Sequence, residues 1–98
     1  MNIQKIKVDC QLTVIVEGRL DTITSPQLEQ ELQESLPGIT DLILDLDKLE
    51  YISSAGLRVL LAAQKVMNQQ GKLVVNNVHN EVKEFFDMTG FSDFLTIQ

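Results

Sequence analysis

The stretch Leu49-Glu-Tyr-Ile-Ser-Ser-Ala-Gly-Leu-Arg-Val-Leu60 marks the point at which an apolar run gives way to a helix. Ser53 and Ser54 fall at the predicted N-terminus of that helix, where the first N–H groups lack helical partners and the helix dipole favours negative charge. A serine hydroxyl caps such an end well, and a phosphate would be stabilised by the same N–H groups. The two serines therefore fit either a plain helix cap or a switch between a neutral and a charged form.

The start of the chain has the pattern of a β-hairpin. Apolar residues alternate over residues 3–8 and 12–16, and Asp9-Cys10-Gln11 is suited to a short connection between them. Glu17-Gly18 is predicted to end the second strand. The hairpin places two antiparallel strands at the beginning of the fold.

Strands and helices alternate through the rest of the chain. The pattern of apolar residues, caps and breakers predicts strands at 41–47, 72–76 and 94–97, and helices from Thr24-Ser25-Pro26 to Pro37-Gly38, from 54 to 70 and from 79 to 88. Strand 41–47 is apolar on both faces and is therefore expected to be central. The order predicts parallel pairing through right-handed crossovers after the hairpin.

These elements predict one α/β domain over residues 1–98, with a small mixed β-sheet flanked by helices. Gly71 is expected to end the second long helix, and Phe85, Phe86 and Met88 are expected to belong to the core. A chain of 98 residues with 44% hydrophobic content can bury a single core without the help of disulfides or a structural metal.

Composition and charge exclude several classes of function. The net charge is −6 and the eight Lys and Arg residues are scattered, which argues against binding to nucleic acid. No apolar run approaches the roughly 20 residues that span a bilayer, so no membrane insertion is expected. The one cysteine, Cys10, cannot form an internal disulfide and suits a reducing compartment. A cytoplasmic protein is expected.

The inventory of reactive side chains argues against an enzyme. A serine nucleophile needs a base, and the only histidine is His79, predicted to be a solvated turn residue; no G-x-S-x-G elbow is present. One Cys and one His cannot supply a zinc site, and Asp41 is better explained as a solvated strand edge than as a ligand. We expect no catalytic residue, metal or cofactor.

Asp21 is the second candidate site residue. The segment Gly18-Arg19-Leu20-Asp21 fits a polar loop with a glycine bend. A functional interpretation places Asp21 at the same end of the sheet as Ser54, because ligands of open α/β sheets gather at the carboxyl ends of strands. Whether the two are adjacent depends on the strand order.

Four segments in this order resemble anti-sigma factor antagonists of the STAS fold. The resemblance covers nearly the whole chain, and its third segment is the most specific. The segments are Val16-Glu-Gly-Arg-Leu-Asp21, Leu42-Ile-Leu-Asp-Leu46, Tyr51-Ile-Ser-Ser-Ala-Gly-Leu57 and Val82-Lys-Glu-Phe-Phe-Asp-Met-Thr-Gly90.

The resemblance implies a protein that binds partners and has no catalytic activity of its own. In this family an anti-sigma factor serine kinase phosphorylates one serine of the antagonist, whose unphosphorylated form binds the kinase and frees the sigma factor; a serine phosphatase removes the phosphate. The matching phosphoacceptor is Ser54, with Ser53 as the alternative, since Ser53 stands where the family commonly has Asp. Ala55 stands where Ser or Thr is frequent.

The resemblance also implies a partner-binding surface. Its expected members are Asp21, Ser53, Ser54, Ala55 and Gly56, of which the small residues are expected to leave the helix end accessible. Val59 and Ala63 either extend this surface or belong to the core. The alternative function is that of a STAS subunit of a transporter or signalling scaffold that is never phosphorylated.

Overall fold

The computed structural model describes all of residues 1–98. Its elements, in chain order, are β1 Asn2–Val8, β2 Gln11–Leu20, α1 Ser25–Ser35, β3 Asp41–Asp45, β4 Leu49–Ile52, α2 Ser54–Gln70, β5 Lys72–Asn76 and α3 Asn80–Thr89, followed by a short 3-10 helix, Phe91–Asp93. The main sheet has the order β1-β2-β3-β5, and β4 pairs with β2. Only β1 and β2 are antiparallel; the pairs of β2 with β3, β2 with β4 and β3 with β5 are parallel. The predicted mixed sheet is confirmed.

One face of the sheet holds the core. Alternate side chains of β2, β3 and β5 are buried under the helices, among them Val14, Leu44 and Val75. Strand β3 lies between β2 and β5, as its apolar pattern predicts, and Ile43 lies half-buried on the opposite face. Even α2, the longest helix, lacks the length and hydrophobicity needed to cross a lipid bilayer.

The structure decides which helix residues belong to the core, and one predicted core residue is exposed. Val59 and Ala63 are 5% and 4% exposed, so both belong to the core. Phe86 is fully buried and Phe85 packs against the core, but Met88 is 85% exposed. The prediction for Met88 is wrong because it lies two residues beyond Phe86, which turns it about 200° around the helix and away from the sheet.

Strand β2 does not end at Glu17-Gly18, as the sequence predicts. Gly18 has a φ of +100°, and the pairing register shifts between Gly18 and Arg19, yet the strand continues to Leu20. Its last residues pair with β4, a strand that the sequence pattern does not predict. The extra residue at this shift is Glu50 of β4, and β2 pairs with β3 over its first half and with β4 from Gly18 onwards.

Two other boundaries differ from the predictions. The predicted strand 94–97 is wrong: a 3-10 helix precedes it, and Ile97 makes only an isolated bridge with Val75. Strand β3 stops at Asp45 rather than at 47, because the Asp45 carboxylate accepts the Asp47 N–H at 3.0 Å and closes a turn. Gly71 ends α2 as predicted, and its N–H donates to Met67 O at 2.7 Å.

Candidate functional site

The pairing of β2 with β4 brings the two sequence-predicted site segments together. Leu20 and Ile52 are partners in this parallel pair, and the Ser53 N–H donates to Leu20 O at 2.9 Å. Both strands end here, so the segments that begin at Asp21 and at Ser53 leave the sheet side by side. The segments that carry Asp21 and Ser54 are therefore neighbours. They are neighbours because β4, which the sequence pattern does not predict, pairs with the end of β2.

Ser53 and Ser54 have different surroundings. Ser53 occupies the N-cap position of α2 with an extended backbone, but its side chain makes no capping hydrogen bond. Its Oγ is buried and has no hydrogen-bond partner. Ser54 begins the helix and is exposed. The expected cap position is therefore confirmed, the capping hydrogen bond is absent, and the accessible hydroxyl of the pair is that of Ser54.

Gly56 has a packing role at this helix end. A Cβ at Gly56 would lie 2.8 Å from Leu20 Cγ and 2.9 Å from Ile52 Cγ1, and the residue is buried. Glycine thus lets α2 approach the ends of β2 and β4 closely. Ala55 is half-buried. Of the small residues expected to leave the helix end accessible, Gly56 is instead covered by Leu20 and Ile52.

The Asp21 carboxylate holds the loop that leads to α1. Its Oδ1 accepts the N–H groups of Ile23 at 3.0 Å and Thr24 at 3.1 Å. Thr24 Oγ1 donates to Arg19 O at 2.7 Å and accepts the Asp21 N–H at 2.9 Å, so this hydroxyl caps the loop rather than α1. The Thr24 N–H is the main reason why the pKa of Asp21 is lowered; burial opposes it, and the Ile23 N–H, the Thr24 hydroxyl and Arg19 reinforce it.

Asp21→Ala is expected to speed amide hydrogen exchange at Ile23 and Thr24, because both N–H groups lose their acceptor. In the wild type, the contribution of Asp21 is complete above its unfolded pKa and is lost as the pH falls through its lowered folded pKa, so the same two amides should lose protection on acidification. Protection factors measured by NMR test both effects. Asp93→Ala, which removes a carboxylate that accepts no such bonds, is the control; equal protection in all three proteins would contradict this role.

Three side chains beside the site were not predicted to belong to it. The Arg19 guanidinium carbon lies 4.2 Å from the centre of the Tyr51 ring, and Arg19 Nε lies 3.9 Å from Asp21 Oδ2. Ile23, in the loop that Asp21 holds, is 87% exposed. Arg19 and Tyr51 stand in the quoted segments, but only the register of β2 against β4 makes them neighbours. These side chains give the site an apolar and a cationic contact group.

The reactive groups of the chain lie apart from Ser54. His79 is the N-cap residue of α3, where its Nε2 hydrogen-bonds to Asp47 O. No group of three or more His, Cys, Asp or Glu side chains is arranged to hold a metal ion. Asp41 lies at the start of β3, 3.7 Å from Lys72 Nζ. What the site offers is the exposed hydroxyl of Ser54 at the N-terminus of α2, beside a loop that the Asp21 carboxylate holds through two backbone N–H groups.

The family model described as the STAS domain matches residues 2–98. Among curated proteins, the chain is 39% identical over 93 residues to BtrV of Bordetella bronchiseptica, a protein assigned as an anti-sigma factor antagonist, covering 93% of this chain and 80% of that protein. It is 30% identical over 99 residues to the anti-sigma-B factor antagonist of Staphylococcus aureus, covering 99% of this chain and 92% of that protein.

Solved structures agree with this fold. An anti-sigma factor antagonist from Mycobacterium paratuberculosis superposes with a TM-score of 0.88 at 23% identity, covering 98% of this chain and 83% of that one. The Bacillus cell fate determinant SpoIIAA, in its phosphorylated form, superposes with a TM-score of 0.77 at 15% identity, covering 99% and 91%. The chain therefore belongs to the STAS domain family and, within it, to the anti-sigma factor antagonists.

Proposed function

We propose that this chain is an anti-sigma factor antagonist whose choice of partner is set by phosphorylation of Ser54. The observation that carries the proposal is the contrast between the two serines at the start of α2. The Ser54 hydroxyl is exposed beside the loop of Asp21, whereas the Ser53 Oγ is buried. A kinase can reach the first hydroxyl without opening the fold, whereas the second is not accessible in the folded chain.

The partner of the unphosphorylated form is an anti-sigma factor serine kinase, which binds the chain and releases its sigma factor. The surface that it contacts comprises Asp21, Ser53, Ser54 and Ala55, with Arg19, Tyr51 and Ile23 at its edge. Exposed aromatic, Arg and large apolar side chains are the usual anchors of such interfaces. Gly56 contributes indirectly, because it sets how closely α2 approaches the ends of β2 and β4.

Phosphorylation of Ser54 changes this surface without refolding the chain. A phosphate adds about −1.5 to −2 charge at neutral pH. The free N–H groups at the start of α2 accommodate that charge, since an anion at a helix N-terminus is favourable. The phosphate nevertheless enlarges and charges the centre of the contact surface on a chain whose net charge is already −6. A kinase surface complementary to a neutral hydroxyl then loses affinity, and a serine phosphatase restores it.

The chain itself supplies the acceptor and no catalytic group. It belongs to the STAS domain family, and in this mechanism the base and nucleotide for phosphoryl transfer come from the kinase. The phosphorylated SpoIIAA structure supports this role, because a chain of the same fold carries the phosphate. We place the protein in the cytoplasm, where its sigma factor and kinase act.

Phosphate is expected on Ser54 when the chain is incubated with its serine kinase and ATP, because this is the exposed hydroxyl of the pair. Tandem mass spectrometry of the digested product locates the modified residue. Ser53→Ala should still be phosphorylated and Ser54→Ala should not. Phosphate on Ser53 alone would contradict the assignment. Phosphate on neither serine would favour the STAS subunit of a transporter or scaffold instead.

A further inference from the structure

A groove runs between α1 and α2 on the outer side of the core. It has a volume of about 410 Å³, and most of the residues that line it are apolar. Its wall on α2 is a stripe at helical spacing that consists of Val59, Ala62 and Val66, of which Ala62 and Val66 are exposed. Leu32 and Leu36 form the wall on α1. No segment of the chain covers this groove.

The groove is held open by contacts at its closed end. Gln70, the last residue of α2, donates from Nε2 towards two carbonyl oxygens beyond α1, those of Leu36 and Ile39, each at 2.6 Å. Glu31 of α1 pairs with Lys5 of β1 at 2.5 Å on the other side of the helix. Gln70 thus joins the end of α2 to the segment after α1, and a ligand would enter a groove that already exists in the free chain.

The open end of the groove leads to the phosphorylation site. A second hollow, of about 260 Å³, lies between the N-terminal turns of α1 and α2, and it shares Glu29, Val59 and Ala62 with the groove. Thr22 and Ala55 line this hollow, and Ala55 follows Ser54 directly. Ser25, which is 3% exposed, also lines it, and its Oγ has no hydrogen-bond partner. A protein that covers Ser54 can therefore continue along the groove without a gap.

The charge of the rim indicates what the groove binds. Glu29 of α1 is the only charged residue that lines the groove, whereas the second hollow is lined by both Glu29 and Arg58, so the acidic character belongs to the groove itself. A groove between two helices accepts a third helix, whose apolar side chains enter it at spacings of three and four residues. The 11 residues of α1 set a length of about 16 Å, or roughly three turns.

We propose that the groove between α1 and α2 holds an amphipathic helix of the kinase, about three turns long, with an apolar face on Ala62 and Val66 and basic side chains towards Glu29. This inference rests on the proposed function and adds a second contact to it, at a distance from the phosphoacceptor. The kinase then recognises the fold of the antagonist along the groove and the state of Ser54 at its open end. The two contacts are separable by mutation.

The test uses Ala62→Arg, which fills the groove and repels a basic ligand. Ala62 is exposed, and Ala and Arg are both strong helix formers, so the variant should fold normally. Asn68→Arg adds the same charge to α2 at an exposed position that does not line the groove and is the matched control. We expect Ala62→Arg to weaken kinase binding by at least about tenfold in calorimetry and Asn68→Arg to leave it unchanged.

A synthetic peptide tests the groove without the kinase. The probe is a three-turn helix with leucines on one face and lysines on the other, titrated into isotope-labelled chain. We expect NMR shifts at Ala62 and Val66 that are lost in Ala62→Arg, and far weaker binding when glutamates replace the lysines. Shifts elsewhere, or none, overturn the inference.

Other outcomes of the kinase experiment are equally decisive. If Ala62→Arg binds the kinase like wild type while Ser54 is still phosphorylated, the groove inference fails and the proposed function stands. If the wild-type chain neither binds the kinase nor accepts phosphate, both fail. A concentration-dependent dimer in sedimentation that disappears in Ala62→Arg would place a second copy of the chain in the groove and would overturn the kinase helix.

Discussion

Ser54→Asp is expected to lower the affinity of the chain for its kinase by at least about tenfold, or about 1.4 kcal/mol, whereas Ser54→Ala is expected to bind like wild type. The aspartate places a charge at the centre of the proposed contact surface, where a like-charged or unpaired group is costly. Alanine removes only a small polar group from an exposed position. Calorimetric titration of the two variants against the kinase measures the difference, and equal affinities would remove the switch from the proposed mechanism.

The same variant has to keep its fold for this result to be interpretable. An acidic side chain at a helix N-terminus contributes about 0.3–1 kcal/mol in the favourable direction. Ser54→Asp should therefore melt within a few degrees of wild type and keep its far-UV circular dichroism. A large fall in Tm would mean that the switch acts by unfolding the helix end, and the loss of binding would then have a different cause.

Gly71→Ala is expected to destabilise the fold by at least about 3 kcal/mol, the largest effect on stability that a single added methyl group should have in this chain. A Cβ at Gly71 would lie 1.9 Å from Thr40 O and 2.6 Å from Thr40 C. These are backbone atoms, and Thr40 O accepts the Lys72 N–H at 2.9 Å, so the start of β5 would have to move away from β3. Urea unfolding should show a lower midpoint with an unchanged slope.

Gly38→Ala is the control for this substitution. Gly38 has a φ of +86° and no atom within 4 Å of the position of its Cβ. Its cost is therefore conformational, about 1–2 kcal/mol for a left-handed backbone. A Gly71→Ala variant no less stable than Gly38→Ala would contradict the close approach of Gly71 to Thr40.

The parts of the fold that local pattern determines were predicted closely. Helix α2 spans residues 54–70 as its apolar stripe indicates, and strand β3 is central because both its faces are apolar. The end of the chain was predicted less well, since Phe94-Leu-Thr-Ile97 has the composition of a strand but its backbone makes only a bridge to Val75. A strand needs a partner over several residues, and composition does not reveal whether one is available.

In the candidate site, too, the sequence predicts what local pattern determines and does not predict what depends on distant strand pairing. The position of Ser54 at a helix start follows from the sequence around it. Its proximity to Asp21 does not, because it depends on β4, a strand of four residues whose partner lies far away in sequence. Gly18, next to the register shift, was the available signal, but a glycine after an apolar run indicates the end of a strand as readily as an irregularity within one. The local sequence pattern likewise could not predict that Ser54 is exposed and that the Ser53 Oγ is buried.

The pairing of β2 with β4 also has a consequence for how the protein is made. Asp21 and Ser53 are distant in sequence, and parallel strands that join such distant segments form late in folding because the intervening chain must first be ordered. A newly synthesised or partly unfolded chain therefore does not present Ser54 beside the loop of Asp21. If the proposed kinase requires both, it would modify only chains in which β2 and β4 have paired, and phosphate on Ser54 would then also report that this part of the fold has formed.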